Sequence, residues 1–350
     1  MDLESLGWDA SFADSFRPYE QDGLAPSRVA VEHRSEYVVY SQLGELRAEL
    51  SGRLRHEQEH PAVGDWLAVA PIDDDRALIH AVLPRRSAFV RKVSSAEGRQ
   101  TKAQVLAANV DVVFVVCGLD ANFNVRRIER YLTLGWESGA QPVVLLTKAD
   151  LCADVESRVW EVEAVAIGVP VHAVSAPTGE GVDTVRSYVP HGRTAALLGS
   201  SGVGKSTLVN ALVGEDLLAT RDVRESDGRG RHTTTHRQLV PLPGGGLVLD
   251  TPGLRELQLW NSDDGLEATF NDIQTLIAEC RFTDCSHRQE PGCAVRSALA
   301  TGSLDAERYE SWRKLQRELQ HLAVKQDARA RSELRKERRR FARSRRKTSY

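Results

Sequence analysis

The residues Gly199-Ser200-Ser201-Gly202-Val203-Gly204-Lys205-Ser206-Thr207 satisfy G-x-x-x-x-G-K-[ST] at every fixed position. Glycines in this pattern let consecutive backbone N–H groups curl around a phosphate, and the helix that follows adds a favourable dipole at its N-terminus. Lys205 would neutralise the β- and γ-phosphates of a nucleoside triphosphate, and the Ser206 hydroxyl would coordinate Mg²⁺. The apolar run Thr194–Leu198 before the loop reads as a buried strand, and Lys205–Leu212 after it has helical spacing. Strand, loop and helix is the context that makes the pattern a nucleotide site rather than a plain glycine-rich turn.

Downstream, Gly246–Leu249 leads into Asp250-Thr251-Pro252-Gly253, a D-x-x-G segment. Asp250 would hold the Mg²⁺ through water, and the Gly253 amide would sense the γ-phosphate. Four such residues alone also describe a common turn; their place after the phosphate loop gives them weight. Between the two lies Gly228-Arg229-Gly230-Arg231-His232-Thr233-Thr234-Thr235, polar and without apolar periodicity. It reads as a loop ordered by γ-phosphate and metal, with Thr234 as the second protein ligand to the ion. The residue after Gly253 is Leu254, where a Ras-like enzyme has a glutamine that orients the attacking water, so a low intrinsic rate is expected. His232 is the nearest catalytic replacement; an RNA-contacting or simply exposed histidine is the alternative.

Base selection falls to Thr147-Lys148-Ala149-Asp150, delivered by the strand-like run Gln141–Leu146. Asp150 can accept hydrogen bonds from N1 and N2 of guanine, a donor pair that adenine lacks, and Lys148 would lie along the base. Thr147 stands where an asparagine usually tethers this turn to the phosphate loop, so a weaker affinity is expected, with the Asp150 contact left intact. Farther on, Val171–Val174 runs into Ser175-Ala176, whose backbone amide can donate to guanine O6. In an ordinary GTPase the phosphate loop precedes the base-reading turn. Here the turn comes first, the order of a circularly permuted GTPase with GTP as substrate and GDP as product.

Three of the five cysteines share a short stretch with a histidine: Cys280-x4-Cys285-x-His287-x5-Cys293. Three thiolates and an imidazole complete a tetrahedral Zn²⁺ shell with no open position, which makes one structural ion. A disulfide reading is weaker because no secretory signal is recognisable, and a reducing cytoplasmic setting is expected. Cys117 and Cys152 sit in or beside apolar segments and read as core thiols.

These groups need elements to carry them. Arg28–Val31, Glu36–Tyr40 and Asp65–Val69 are strand-like and punctuated by Gly64-Asp65 and Asp73-Asp74-Asp75, the pattern of a small five-stranded barrel. Arg85, Arg86, Arg91 and Lys92 make its end basic, with no recognisable stacking platform. The first 27 residues read as a poorly ordered extension with Trp8, Phe12 and Phe16 as docking anchors. After the cysteine cluster, Ser303 can cap a helix on which Trp312, Leu315, Leu319 and Leu322 form a stripe for packing. The chain is long enough for two or three domains, and no run is apolar and long enough to span a membrane. Its formal charge of −3 is uneven: residues 325–350 hold twelve Lys/Arg against three Asp/Glu, a local +9, leaving −12 on the other 324. Such a tail, Arg338-Arg339-Arg340-Phe341-Ala342-Arg343-Ser344-Arg345-Arg346-Lys347, suits a phosphate backbone. The bland alternative is a solvated tail with no partner.

The permuted order, the run Gly230-Arg231-His232-Thr233-Thr234-Thr235 and the Cys280–Cys293 cluster followed by Ala294-Val295 together resemble the RsgA (YjeQ) family of GTPases, over residues 28 to 324. The resemblance implies a multidomain chain: an N-terminal extension (1–27), an OB-fold β-barrel that binds RNA (28–92), a circularly permuted α/β P-loop GTPase domain (93–262), a helical zinc-binding domain (263–324) and the basic tail (325–350). It also implies a GTPase that binds the small (30S) ribosomal subunit and its rRNA, acts late in its maturation, is stimulated by it and leaves on hydrolysis. Residues 254–262, beginning Leu254-Arg255-Glu256-Leu257, would then be both switch and tether to the zinc domain. Nothing suggests an obligate dimer, so a monomer is expected. Alternatives are a large-subunit assembly GTPase, an RNA-binding switch in which hydrolysis is incidental, and an ATP-dependent enzyme with Asp150 as a decoy.

Overall fold

The computed structural model describes residues 1–33, 36–57, 60–94, 101–215, 237–250 and 263–323. The chain divides into two compact units, Met1–Gln258 and Leu259–Tyr350.

The first unit begins with helix α1 (Ala10–Glu20) and then forms a barrel from β1 (Ala25–Glu32), β2 (Tyr37–Ser41), β3 (Gly44–Leu50), β4 (Trp66–Pro71) and β5 (Arg76–Val82), with helix α2 (Gly52–Glu57) between β3 and β4. Strand β1 pairs antiparallel with both β2 and β4, and β3 pairs parallel with β5, so the five strands close on themselves as an OB fold. A bulge between Val29 and Val31 interrupts the β1–β2 register and bends the strand that must serve two partners. On β3, buried Leu46, Ala48 and Leu50 alternate with exposed Arg47 and Glu49, the period expected when one face lines a core.

The opening residues depart from the expected disorder. Leu3, Leu6, Phe12 and Phe16 are buried, and the Trp8 ring meets Trp66 of the barrel edge-on at 4.7 Å. Asp9 caps α1 by accepting from the Ser11 and Phe12 amides. The buried Arg28 guanidinium donates to the carbonyls of Leu6, Gly64 (3.2 Å) and Asn109 (2.9 Å), tying the opening residues, the barrel and the following strands together. The anchors were legible; the order they impose was not, because it depends on the contacts of a barrel arginine with segments far from it in sequence.

A two-stranded sheet, β6 (Ala88–Ser94) and β7 (Thr101–Ala108), follows the barrel. Residues 88–92, assigned to the barrel from sequence, therefore pair outside it. The α/β layer comprises β8 (Val112–Gly118), α3 (Val125–Glu137), β9 (Gln141–Thr147), α4 (Val155–Glu163), β10 (Val171–Val174), α5 (Val182–Ser187), β11 (Thr194–Leu198), α6 (Lys205–Val213), β12 (Gln238–Pro241) and β13 (Leu247–Asp250). Its strand order is β10-β9-β8-β11-β13-β12, parallel except for β12. The phosphate-loop strand β11 is thus central, flanked by strands that precede it in the chain on one side and follow it on the other. That is the permutation expressed as topology. Every residue of β8 is buried, and its two faces feed different cores: Val112, Phe114 and Val116 pack with Val185, Leu208 and Leu212 of α5 and α6, while Val115 and Cys117 pack with Ile128, Leu132 and Val162 of α3 and α4. Among the described residues one bridge, Val31 to Gln238, joins barrel and sheet, beside an Arg237–Glu32 ion pair of 2.6 Å.

The second unit contains α7 (Asp263–Thr269), α8 (Asn271–Ala278), α9 (Ala294–Thr301) and a closing helix over residues 306–323. Trp312, Leu315 and Leu319 are buried as the stripe requires, and Leu322 is half-buried. The cap differs from expectation: the Arg308 amide donates to Asp305 Oδ1 at 2.7 Å, whereas the Ser303 hydroxyl turns back to the Ala298 carbonyl. Arg308 is itself buried, held by both carboxylate oxygens of Asp272 and lying over the Phe270 ring.

Candidate nucleotide site and metal centre

The phosphate loop leaves the C-terminal edge of β11 and returns as α6. A Cβ at Gly199 would lie 2.4 Å from the Val116 carbonyl oxygen, so the loop can leave its strand against β8 only without a side chain there. Gly204, the N-cap of α6, has φ +89° and offers no side-chain cap, which leaves the helix N-terminus to an anion. The Lys205 ammonium lies against the loop's own carbonyls, 2.8 Å from Gly199 O and 2.5 Å from Ser200 O. Ser201, Gly202, Val203, Ser206 and Thr207 complete the turn and the first helical residues.

The base-reading turn follows β9, two strands away in the same sheet. Thr147 is buried, and its hydroxyl donates to the Val203 carbonyl at 2.5 Å, with the Cys117 carbonyl oxygen at 3.3 Å. The tether that an asparagine usually makes to the phosphate loop is here made by the threonine. Lys148 adopts a left-handed φ of 61° and pairs with Asp120 at 2.6 Å. Burial works against the Asp120 carboxylate, but the Lys148 ammonium and the Asn122 N–H hold its pKa below the ordinary range. Asp150 is exposed and accepts from the buried Ser175 hydroxyl at 2.7 Å. That bond joins the turn after β9 to the turn after β10, so Asp150, Ser175 and Ala176 converge at one edge, as the motif reading requires.

The metal groups of the phosphate site are only partly placed. Ser206 is the second residue of α6, which follows β11 through the phosphate loop, and the backbone of the neighbouring strand β13 ends at Asp250. A serine hydroxyl and an aspartate carboxylate are residue types that suit Mg²⁺, a hard cation that takes oxygen ligands. The Asp250 side chain, Gly253, Leu254, His232, Thr234, the segment 254–262 and the tail 325–350 lie outside the described residues.

Cys280, Cys285, His287 and Cys293 converge in the second unit, their ligand atoms all within 4.8 Å of one another. Cys280 Sγ and Cys293 Sγ are 3.9 Å apart, and His287 Nδ1 lies 3.6 and 3.5 Å from them. A tetrahedron with Zn–S of about 2.3 Å and Zn–N of about 2.0 Å has edges of roughly 3.8 Å between sulfurs and 3.5 Å from sulfur to nitrogen. The donor set and its spacing fit a structural zinc ion. His287 holds a left-handed φ of 58°, uncommon for a side-chain-bearing residue. Glu290 supports that turn: its carboxylate accepts from the amides of Ser286 (3.1 Å), Arg288 (2.9 Å) and Gln289 (3.0 Å) and from the Ser286 hydroxyl. Those donors hold the Glu290 carboxyl well below its usual range.

Sequence reasoning missed Asp120 and Glu290. Each binds a residue that the motifs name or flank, but neither belongs to a fixed motif position.

Comparison with known proteins agrees with this geometry. A family model described as RsgA GTPase matches residues 82–260. The small ribosomal subunit biogenesis GTPase RsgA of Opitutus terrae is 49% identical over 341 residues, covering 93% of this chain and 92% of its own. The protein of that name from Streptomyces avermitilis is 48% identical over 339 residues, covering 96% and 90%. The crystal structure of YjeQ from Thermotoga maritima superposes with a TM-score of 0.64 at 28% identity, over 85% of this chain and 98% of that one. The fold is shared with YloQ, a circularly permuted GTPase, at a TM-score of 0.63 and 22% identity, over 85% and 96% of the two chains. A family model over half of the chain and relatives at 48–49% identity over nearly their full length establish the lineage: the chain belongs to the RsgA GTPase family.

Proposed function

We propose that this protein binds the small ribosomal subunit late in its assembly, hydrolyses GTP to GDP and phosphate there, and leaves as a consequence. The carrying observation is the Thr147–Val203 bond, which fixes Asp150 and the phosphate loop in one frame, together with membership of a family whose relatives are named for small-subunit biogenesis.

The reaction is an in-line displacement. A water oxygen bonds to the γ-phosphorus as the bond from that phosphorus to the β–γ bridging oxygen breaks; the electron pair stays on GDP, and the water's protons pass to phosphate and solvent. Asp150 selects guanine, with the Ala176 amide on O6 and Lys148 along the base. Lys205 must leave the carbonyls of Gly199 and Ser200 and turn onto the phosphates, a short move for a flexible ammonium. Ser206, Asp250 and Thr234 would hold Mg²⁺, whose chemistry there is charge neutralisation across the β- and γ-phosphates. His232 is the proposed group that orients the water in place of the glutamine that Leu254 replaces.

Barrel, zinc module and tail meet rRNA in this reading, and the zinc ion itself is structural, with no open position. The protein acts as a monomer in the cytoplasm, where its substrate subunit is assembled. Among the described residues no helix is long and apolar enough to cross a membrane.

Steady-state GTP hydrolysis with and without purified small subunits tests the reading, with large subunits and ATP as controls. Stimulation by small subunits alone supports it. Stimulation by large subunits alone, or hydrolysis of ATP in place of GTP, overturns it.

A further inference from the structure

Helix α3 brings a cation to the phosphate loop that the nucleotide motifs do not include. Arg127 Nη1 donates to Ser200 Oγ at 3.0 Å, and the Tyr131 hydroxyl, one turn on and on the same face, lies 3.3 Å from the same oxygen. The position is fixed from below: Asn124 caps α3 by accepting from the Arg127 amide at 2.9 Å.

Two features set Arg127 apart. The first turn of α3 contains no acidic residue and carries both Arg126 and Arg127 at the positive end of the helix dipole, where cations are disfavoured. Arg126 is compensated by the buried carboxylate of Glu129 at 2.9 Å. Among the described residues, Arg127 is given only neutral oxygen, that of Ser200. That leaves the Arg127 guanidinium, at a helix N-terminus, with charge available to an anion.

The place of that anion follows from Ser200. Its carbonyl oxygen lies 2.5 Å from the Lys205 ammonium, and a phosphate-loop lysine serves the β- and γ-phosphates. Two cations therefore bracket one residue of the loop, Lys205 on its backbone and Arg127 on its side chain. When a triphosphate draws Lys205 away, Ser200 keeps one anchor.

We propose that Arg127 is a positioning residue for the γ-phosphate end of the site: through Ser200 it fixes the phosphate loop and adds positive charge that favours a nucleoside triphosphate over a diphosphate. The proposal rests on the guanine-nucleotide reading above. It separates Arg127 from a residue that merely stabilises α3, because a structural role would weaken both nucleotides alike.

The test is equilibrium binding of fluorescent GDP and of a fluorescent non-hydrolysable GTP analogue to the full-length protein. R127A is expected to lose about tenfold in affinity for the triphosphate analogue and less than about threefold for GDP. R127K, which keeps the charge and loses the planar fork, should fall between. Combining R127A with S200A should cost little beyond R127A alone, since both remove one contact. Should R127A not fold, as read by its thermal transition, R127Q takes its place in the same assay. Equal losses for both nucleotides, or no loss for either, would overturn the proposal. A wild-type protein that prefers adenine over guanine nucleotides would instead overturn the reading beneath it.

Discussion

The Thr147 hydroxyl and the Val203 carbonyl meet at 2.5 Å across 56 residues of chain. One bond thereby joins the turn that reads the base to the loop that holds the phosphates. Because Thr147 is buried, removing its hydroxyl leaves the Val203 carbonyl without that donor inside the protein.

Thr147→Val, which keeps the shape and drops the donor, should therefore cost about 1–3 kcal/mol of stability. It should weaken GTP and GDP by a similar factor, since the base end of the site is common to both. Thr147→Ser should retain most of both. Chemical denaturation and nucleotide titration of the three proteins check this; a selective loss of GTP alone would show that Thr147 acts on the γ-phosphate end instead.

Asp150 is exposed and anchored by Ser175 at 2.7 Å, so its carboxylate is positioned without being buried. Asp150→Asn replaces an acceptor with a donor at the edge that guanine N1 and N2 should meet. GTP affinity should fall by at least about a hundredfold, the loss of two charge-assisted hydrogen bonds. Xanthosine triphosphate, which presents a carbonyl at C2, should gain in proportion. Competition between the two nucleotides on the variant measures the switch, and an unchanged preference for GTP would remove Asp150 from base recognition.

The nucleotide site was legible in the sequence because its residues act through backbone geometry and fixed spacing. Gly199 must lack a Cβ because the Val116 carbonyl sits where one would be, and the motif records that need. Contacts between elements leave no such trace. Arg28 stands in the sequence only as the start of a strand-like run, yet its three backbone acceptors come from segments far apart in sequence and order the first residues of the chain. Arg127 and Tyr131 reach Ser200 only because the sheet places α3 beside the phosphate loop. The helix cap differs from the expected Ser303 for a local reason: the Ala298 carbonyl claims the serine, and Asp305 accepts from the Arg308 amide instead.

The zinc turn depends on Glu290, whose carboxylate collects three amides and a hydroxyl around a histidine at φ 58°. Glu290→Ala should weaken zinc by about tenfold, the order seen when a group orienting a metal ligand is lost, while the four donor atoms remain. Glu290→Gln, which keeps one acceptor oxygen, should lose less. Competition against a chromophoric chelator reads the affinity directly. Stripping the metal with a strong chelator should loosen Leu259–Tyr350 and leave guanine-nucleotide binding by Met1–Gln258 in place. Loss of nucleotide binding on chelation would make the metal more than a structural ion of its own unit.

Docking of the opening helix should depend on acid. Asp9 accepts from the Ser11 and Phe12 amides and from Arg86, whose guanidinium lies 2.7 Å away through Nη1 and rests over the Phe12 ring. The hydrogen bond from Arg86 is the main reason its pKa lies below the unfolded value of 3.8. With a folded pKa depressed in this way, the contribution is complete above the unfolded value and is lost as pH falls through the folded one. The Trp8–Trp66 contact makes the change visible. Near-ultraviolet circular dichroism should stay constant down to about pH 5 and lose its tryptophan signal below about pH 4, before the far-ultraviolet signal of the α/β sheet declines. Asp9→Ala should remove that step and cost about 1 kcal/mol at neutral pH, as loss of an N-cap does. If the variant keeps the same acid step as the wild type, another carboxylate controls the docking and Asp9 is only a cap.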